Sequence, residues 1–173
     1  MGGPPAIRMD LIIDGYNLIG SGQGLSGSLE HKRNWLVQQL SRYQKLKHYS
    51  LVVVFDGWRS GQANEVVEKR DGISVVYSRL GEKADAVIIR IGRQKGNGCV
   101  VVSSDREIRT AVERFGAVAI SAGEFNTILQ SLDGLSGADE NGEEEFASNK
   151  GGNPRRPSKS ERRRLDKLRK LKL

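Results

Sequence analysis

Ile12-Ile13-Asp14-Gly15-Tyr16-Asn17 is the stretch on which the reading of this chain turns. A short apolar run, Met9 to Ile13 with Asp10 as its single polar residue, ends abruptly in an acid followed by glycine. A run of this length without polar alternation is the pattern of a strand buried on both faces, as in parallel sheets. Three more runs of the same kind stand at residues 51–55, 73–77 and 99–102, with a weaker fifth at 117–120. Between them lie amphipathic segments. In residues 29–46 the apolar positions Leu29, Leu36, Leu40, Tyr43 and Leu46 recur at helical spacing, and residues 84–91, 108–115 and 125–132 behave alike. Ser104 or Asp105 can cap the helix at 108–115. Alternating strands and helices predict right-handed crossovers and a mainly parallel sheet with helices on both faces, a three-layer α/β/α fold. Residues 57–71 read as a loop with a short helix around 65–69.

The domain so defined spans residues 9–132. Residues 133–157 are acidic and then rich in Gly and Pro, which reads as a flexible linker. Residues 158–173 form a basic amphipathic tail with Leu165, Leu168 and Leu171 on one side. The 173-residue chain carries a formal charge of +7, and residues 150–173 contribute eleven Lys or Arg against Glu161 and Asp166. The preceding 149 residues are therefore slightly acidic, and the basic character belongs to the tail. Cys99 is the sole cysteine, which excludes an internal disulfide and favours a buried thiol in a reducing compartment. No stretch approaches a membrane span, no signal peptide opens the chain, and Ala6 removes the myristoylation pattern that Met1-Gly2 would begin. The expected location is the cytoplasm, with no membrane partner.

The acids fall at strand ends. Asp14 follows the first strand, Asp56 the second and Ser103-Ser104-Asp105 the fourth, while Asp85 lies in the first turn of the helix after the third. Parallel strands point the same way, so these carboxylates emerge at the edge where open α/β sheets bind ligands. Each alone also reads as a turn, cap or solvated residue; the coincidence of four favours a site. Crowded carboxylates repel unless a cation sits among them. Oxygen ligands in a partly open cleft suit Mg²⁺ or Mn²⁺, which would lower the pKa of a bound water and neutralise phosphate charge. His31 and His48 lie elsewhere, which argues against zinc.

These residues resemble the NYN branch of the PIN-like nucleases, specifically its bacterial YacP-like group. Ile12-Ile13-Asp14-Gly15-Tyr16-Asn17-Leu18-Ile19 is similar to the opening motif, and Val53-Val54-Phe55-Asp56-Gly57 to the second-strand motif. Gly81-Glu82-Lys83-Ala84-Asp85 is similar to the helix motif, and Val102-Ser103-Ser104-Asp105-Arg106-Glu107 to the fourth-strand motif. The resemblance covers residues 10–132. It implies internal hydrolysis of single-stranded RNA with Mg²⁺ or Mn²⁺, leaving 5′-phosphate and 3′-hydroxyl ends, and association with ribosomes and mRNA turnover. Carried over, Asp14, Asp85 and Asp105 hold metal, Asn17 contacts phosphate or water, and Asp56 and Glu82 are supporting acids. The segment after residue 132 matches no diagnostic motif.

Affinity for RNA needs cations around an acidic cleft. Arg59, Arg79, Lys83, Arg106 and Arg109 lie near the active edge, and Tyr16 and Trp58 can stack on bases. In the tail, Arg155, Arg156, Arg162, Arg163 and Arg164 can track a phosphate backbone, folding on contact. The alternative function is a non-catalytic RNA- or ribosome-binding adaptor on the same fold. A phosphoacceptor domain would need a paired acid where Ile13 stands, and an Asp-x-Asp phosphatase would need an acid where Tyr16 stands.

Overall fold

The apolar runs become strands and the amphipathic segments become helices. A computed structural model of the chain describes residues 9–22, 27–57, 63–134 and 157–173. The strands are β1 (Asp10–Asp14), β2 (Ser50–Phe55), β3 (Val66–Arg70), β4 (Ile73–Tyr77), β5 (Val100–Val102) and β6 (Val118–Ile120). The helices are α1 (Gly15–Ser21), α2 (Leu29–Lys47), α3 (Ala84–Lys95), α4 (Arg106–Arg114), α5 (Ala122–Gly134) and α6 (Lys159–Leu171). The strands form one sheet in the order β3-β4-β2-β1-β5-β6, parallel except for β3.

Alternation along each strand builds the three layers. Leu11, Ile13, Val53, Phe55, Val100 and Val102 pack with α1, α2, α5 and α6 on one face. Ile12, Val54, Val101 and Ala119 pack with Val87 and Ile88 of α3 and with Ile108 and Val112 of α4 on the other. The chain builds β2 and β4 on one side of β1 and then crosses by α3 to β5 on the other, so the strand order reverses between β1 and β5.

Three elements depart from the sequence reading. The helix expected around 65–69 is β3, an edge strand antiparallel to β4. Asp71 and Gly72, both at positive φ, make the two-residue turn that Asp-Gly favours in hairpins. Glu68 and Lys69 leave this edge exposed and charged, which guards it against strand addition. Second, α1 begins directly after β1, where no helix was expected. Gly15 is required there, because a Cβ would stand 2.3 Å from the Phe55 ring, itself stacked on Tyr77 and tilted against Tyr16.

Third, the basic tail is a built part of the domain. Leu168 and Leu171 of α6 are buried in the same core as Tyr43 and Phe125, while Leu165 faces outward. The last carbonyls of the helix, which have no partner within it, accept hydrogen bonds from α2 and its flank. Tyr43 Oη donates to Leu171 O at 2.7 Å, Tyr49 Oη to Lys170 O at 2.8 Å and Lys47 Nζ to Lys172 O at 2.8 Å. Of the expected linker, residues 135–156 lie outside the described residues.

Leu171→Ala should therefore destabilise the whole domain by roughly 2–4 kcal/mol in urea unfolding, the cost of truncating a core leucine. A change within 0.5 kcal/mol would place α6 outside the cooperative unit.

Candidate active site

Side-chain parity and strand register together assemble the acids. Ile12 faces the core under α3 and α4, so Asp14, two residues on, faces the same way at the strand's end. Val54 directs Asp56 likewise, and Val101 directs Ser103. Val102 pairs with Ile13, so Ser103 arrives beside Asp14, and its buried hydroxyl donates to Asp14 Oδ2 at 3.1 Å. The same Oγ accepts the Asp105 amide at 3.1 Å. Asp105 then caps α4, its Oδ1 accepting the Glu107 amide at 2.8 Å.

Asp56 Oδ1 accepts the amide of Ala84, the first residue of α3, at 2.7 Å. The acid at the end of β2 thus fixes the start of the helix that carries Asp85. Asp14, Asp56, Asp85 and Asp105 all line one open cleft of about 480 Å³, rimmed by Lys83, Arg106 and Glu107. The four acids expected to meet do so.

Burial pushes the Asp14 carboxyl up to about 6. Hydrogen bonds from Ser103 and the Asn17 amide oppose the rise, and the charges of Asp56 and Asp105 add to it. Among the described residues, the side chains at the cleft that could ligate a metal are carboxylates, a set suited to a hard cation that keeps much of its water. Among the described residues, no three His, Cys, Asp or Glu side chains converge tightly enough to make a coordination shell unaided. The acids ring a wide opening that water and phosphate oxygens would have to complete.

The remaining residues divide. Lys83 and Arg106 stand at the cleft. Asn17 Oδ1 accepts the Ser104 amide at 2.9 Å, tying α1 to the loop after β5. The Tyr16 ring lies 5.1 Å from that of Phe55, and its hydroxyl accepts a hydrogen bond from Arg33, so it packs on the core. Glu82 precedes α3 and does not share a helix face with Asp85. Its carboxylate pairs with Arg79 at 3.0 Å and Arg90 at 3.9 Å in a separate groove. Arg109, Arg163 and Arg164 line a different notch between α4 and α6.

Arg164, expected to contact phosphate, instead turns inward onto Glu124 and Glu161. Arg162 is exposed, and Arg163 donates to Gly116 O. Trp58, Arg59, Arg155 and Arg156 lie outside the described residues. Sequence reading places Ser103 and Ser104 at a strand end, with Ser104 as a candidate cap, but gives them no part in holding the acids, and it leaves out Glu124. Ser103 ends an apolar strand as a polar residue, and Ser121-Ala122-Gly123-Glu124 has the Ser-x-x-Glu spacing of a capping box. Both signals were present.

Comparison with known proteins places this geometry. The profile described as "YacP-like NYN domain" matches residues 11–170, from β1 into α6. "Uncharacterized protein YacP" of Bacillus subtilis (strain 168) is 29% identical over 135 residues, covering 71% of this chain and 76% of that one. The crystal structure of Rae1 (YacP) from Bacillus subtilis superposes with a TM-score of 0.62 at 25% identity, covering 73% of this chain and 76% of that chain. A mutant of the same protein gives 0.63, covering 74% and 79%. The fold is thus of the nuclease type.

The raised pKa of Asp14 has a consequence for stability. Between its ordinary value near 3.8 and about 6, the folded chain keeps a proton that the unfolded chain has released. Stability from this group therefore falls as pH rises through that window, and the penalty is complete above it. In metal-free buffer at pH 7.5, Asp14→Asn should be the more stable protein. We expect about 1–2 kcal/mol, less than the full shift would give because the carboxyl opens on solvent. The two proteins should converge near pH 4. Equal stability at pH 7.5 would contradict the electrostatic account.

Proposed function

This chain belongs to the YacP-like NYN domain family, and on that premise we propose that it is an endoribonuclease that hydrolyses single-stranded RNA with Mg²⁺ or Mn²⁺. The carrying observation is the cleft itself, where four carboxylates from four chain segments open onto one space. Crowding and burial of Asp14 work against stability, and such an arrangement is characteristic of sites built for chemistry.

Asp14, Asp85 and Asp105 are the residues that would hold the cation. When bound, it supplies a lowered pKa for water and neutralises charge developing on the phosphate. Asp56 acts through α3, whose first amide it holds. Lys83 and Arg106 draw the phosphate to an otherwise repulsive cleft, with Arg162 adding positive charge along α6. Asn17, anchored through its carbonyl oxygen, would present its amide group toward the phosphate. Attack by water, with the 2′-hydroxyl uninvolved, leaves a 5′-phosphate and a 3′-hydroxyl. Messenger RNA, free or on the ribosome, is the substrate that the family resemblance suggests. The lone, buried Cys99 suits work in the cytoplasm, and no helix among the described residues is long and apolar enough to cross a membrane.

The test uses 5′-labelled single-stranded RNA, alone and on translating ribosomes, with Mn²⁺ or Mg²⁺. Asp14→Asn and Asp85→Asn should each slow cleavage by roughly two orders of magnitude, about 3 kcal/mol of barrier, and EDTA should abolish it. Cleavage that survives both substitutions would remove the acids from the mechanism. Binding without cleavage by every variant on both substrates would identify an adaptor.

A further inference from the structure

On the reading just given, we infer that Arg164 of the C-terminal helix is a positioning residue for the active-site acids, acting through a hydrogen-bonded relay that joins the start of α5 to the loop after β5. The first link is the ion pair. Arg164 Nη1 donates to Glu124 Oε2 at 2.6 Å, and its Nε and Nη2 hold Glu161 at 3.2 and 2.8 Å. With two carboxylates already engaged, Arg164 has little capacity left for a phosphate.

Glu124 carries the relay onward. Its Oε1 accepts the Ser121 amide at 3.1 Å, and Ser121 Oγ accepts the Glu124 amide at 3.1 Å, closing a capping box at the start of α5. Burial pushes Glu124 up, and the bonds from Arg164 and Ser121 more than reverse it, leaving the carboxyl below its usual range. The next amide, of Ala122, donates to Ser104 Oγ at 3.0 Å. Ser104 stands between Ser103 and Asp105. Its amide donates to Asn17 Oδ1 at 2.9 Å, while Ser103 and Asp105 carry the contacts to Asp14 and to each other.

The Ser103–Asp105 loop is thus gripped from two sides, by Asn17 and by the start of α5. The second grip is set by Arg164. The basic helix, on this account, holds the loop that presents Asp105 and braces Asp14, in addition to whatever RNA its outer face meets. Small misplacements of reacting groups are costly even when the substitution is remote.

Arg164→Met keeps the aliphatic stem and removes the ion pairs. It should lower kcat for RNA cleavage about ten- to hundred-fold, leaving KM and its salt dependence unchanged. Arg164→Lys should recover part of the loss. Ser104→Ala should be harmful in the wild-type background and add little to Arg164→Met, since both cut one relay. Raised KM with a shallower salt slope at constant kcat would instead make Arg164 a phosphate contact, and multiplicative losses in the double variant would also overturn the relay. Amide hydrogen exchange decides the matter without catalysis. In Arg164→Met the Ser104 and Ala122 amides should exchange about ten-fold faster while those of β1 and β2 stay unchanged. Unchanged exchange at Ser104 refutes the relay, whereas accelerated exchange in a protein that never cleaves RNA retains it and refutes only the nuclease reading.

Discussion

The hydrogen bond from the buried Ser103 hydroxyl to Asp14 joins β1 to β5, the two strands between which the sheet changes direction. Helices from both faces converge at this seam. A carboxylate there has lost much of its water and faces two other acids, so it must be held by donors from its neighbours. Ser103 supplies one from β5 and the Asn17 amide another from α1. The same hydroxyl accepts the amide of Asp105, so one small side chain sets the separation between two of the acids.

Around that seam the charged groups take different parts. Asp56 is spent on the first amide of α3, and Asp105 divides itself between the cleft and the cap of α4. Acids at the starts of helices also meet the favourable end of the helix dipole, which makes it cheaper to gather them at one edge. The cations are separated by location. Lys83 and Arg106 rim the cleft, while Arg164 is locked in an ion-paired cluster with Glu124 and Glu161. A count of basic residues would treat Lys83, Arg106 and Arg164 as equivalent, although their surroundings give them different work.

How much of this was legible in the sequence depended on range. Strands β1, β2, β4, β5 and β6 announced themselves because burial on both faces demands nearly continuous apolar runs. Asp14, Asp56 and Asp105 followed from where those runs stop, and Asp85 from the start of the helix after the third. The edge strand β3 did not, because one exposed side leaves Val-Val-Glu-Lys-Arg with no apolar run, and only Asp71-Gly72 marked its turn. Helix α1 was hidden by its seven-residue length and its glycines. Glu82 was misplaced because α3 begins two residues after it, and a helix-face argument fails outside the helix. Glu161 stands at helical spacing from Arg164, but its second partner could not be read from periodicity, since Glu124 lies forty residues away.

The docking of α6 also bears on how the domain is made. Tyr43 donates its hydroxyl to a carbonyl 128 residues later, and Leu168 and Leu171 fill the same core as the first helices and strands. Contacts this remote along the chain delay folding, because the intervening loop must be closed before they contribute. During synthesis the sheet can pair as its strands emerge, yet its core stays incomplete until Leu171 has left the ribosome. The relay to Asp14 stays open over the same interval. A nascent chain would therefore carry all four acids well before it held them in place, so completion of the fold and onset of the proposed activity would arrive together, after the bulk of the domain has been translated.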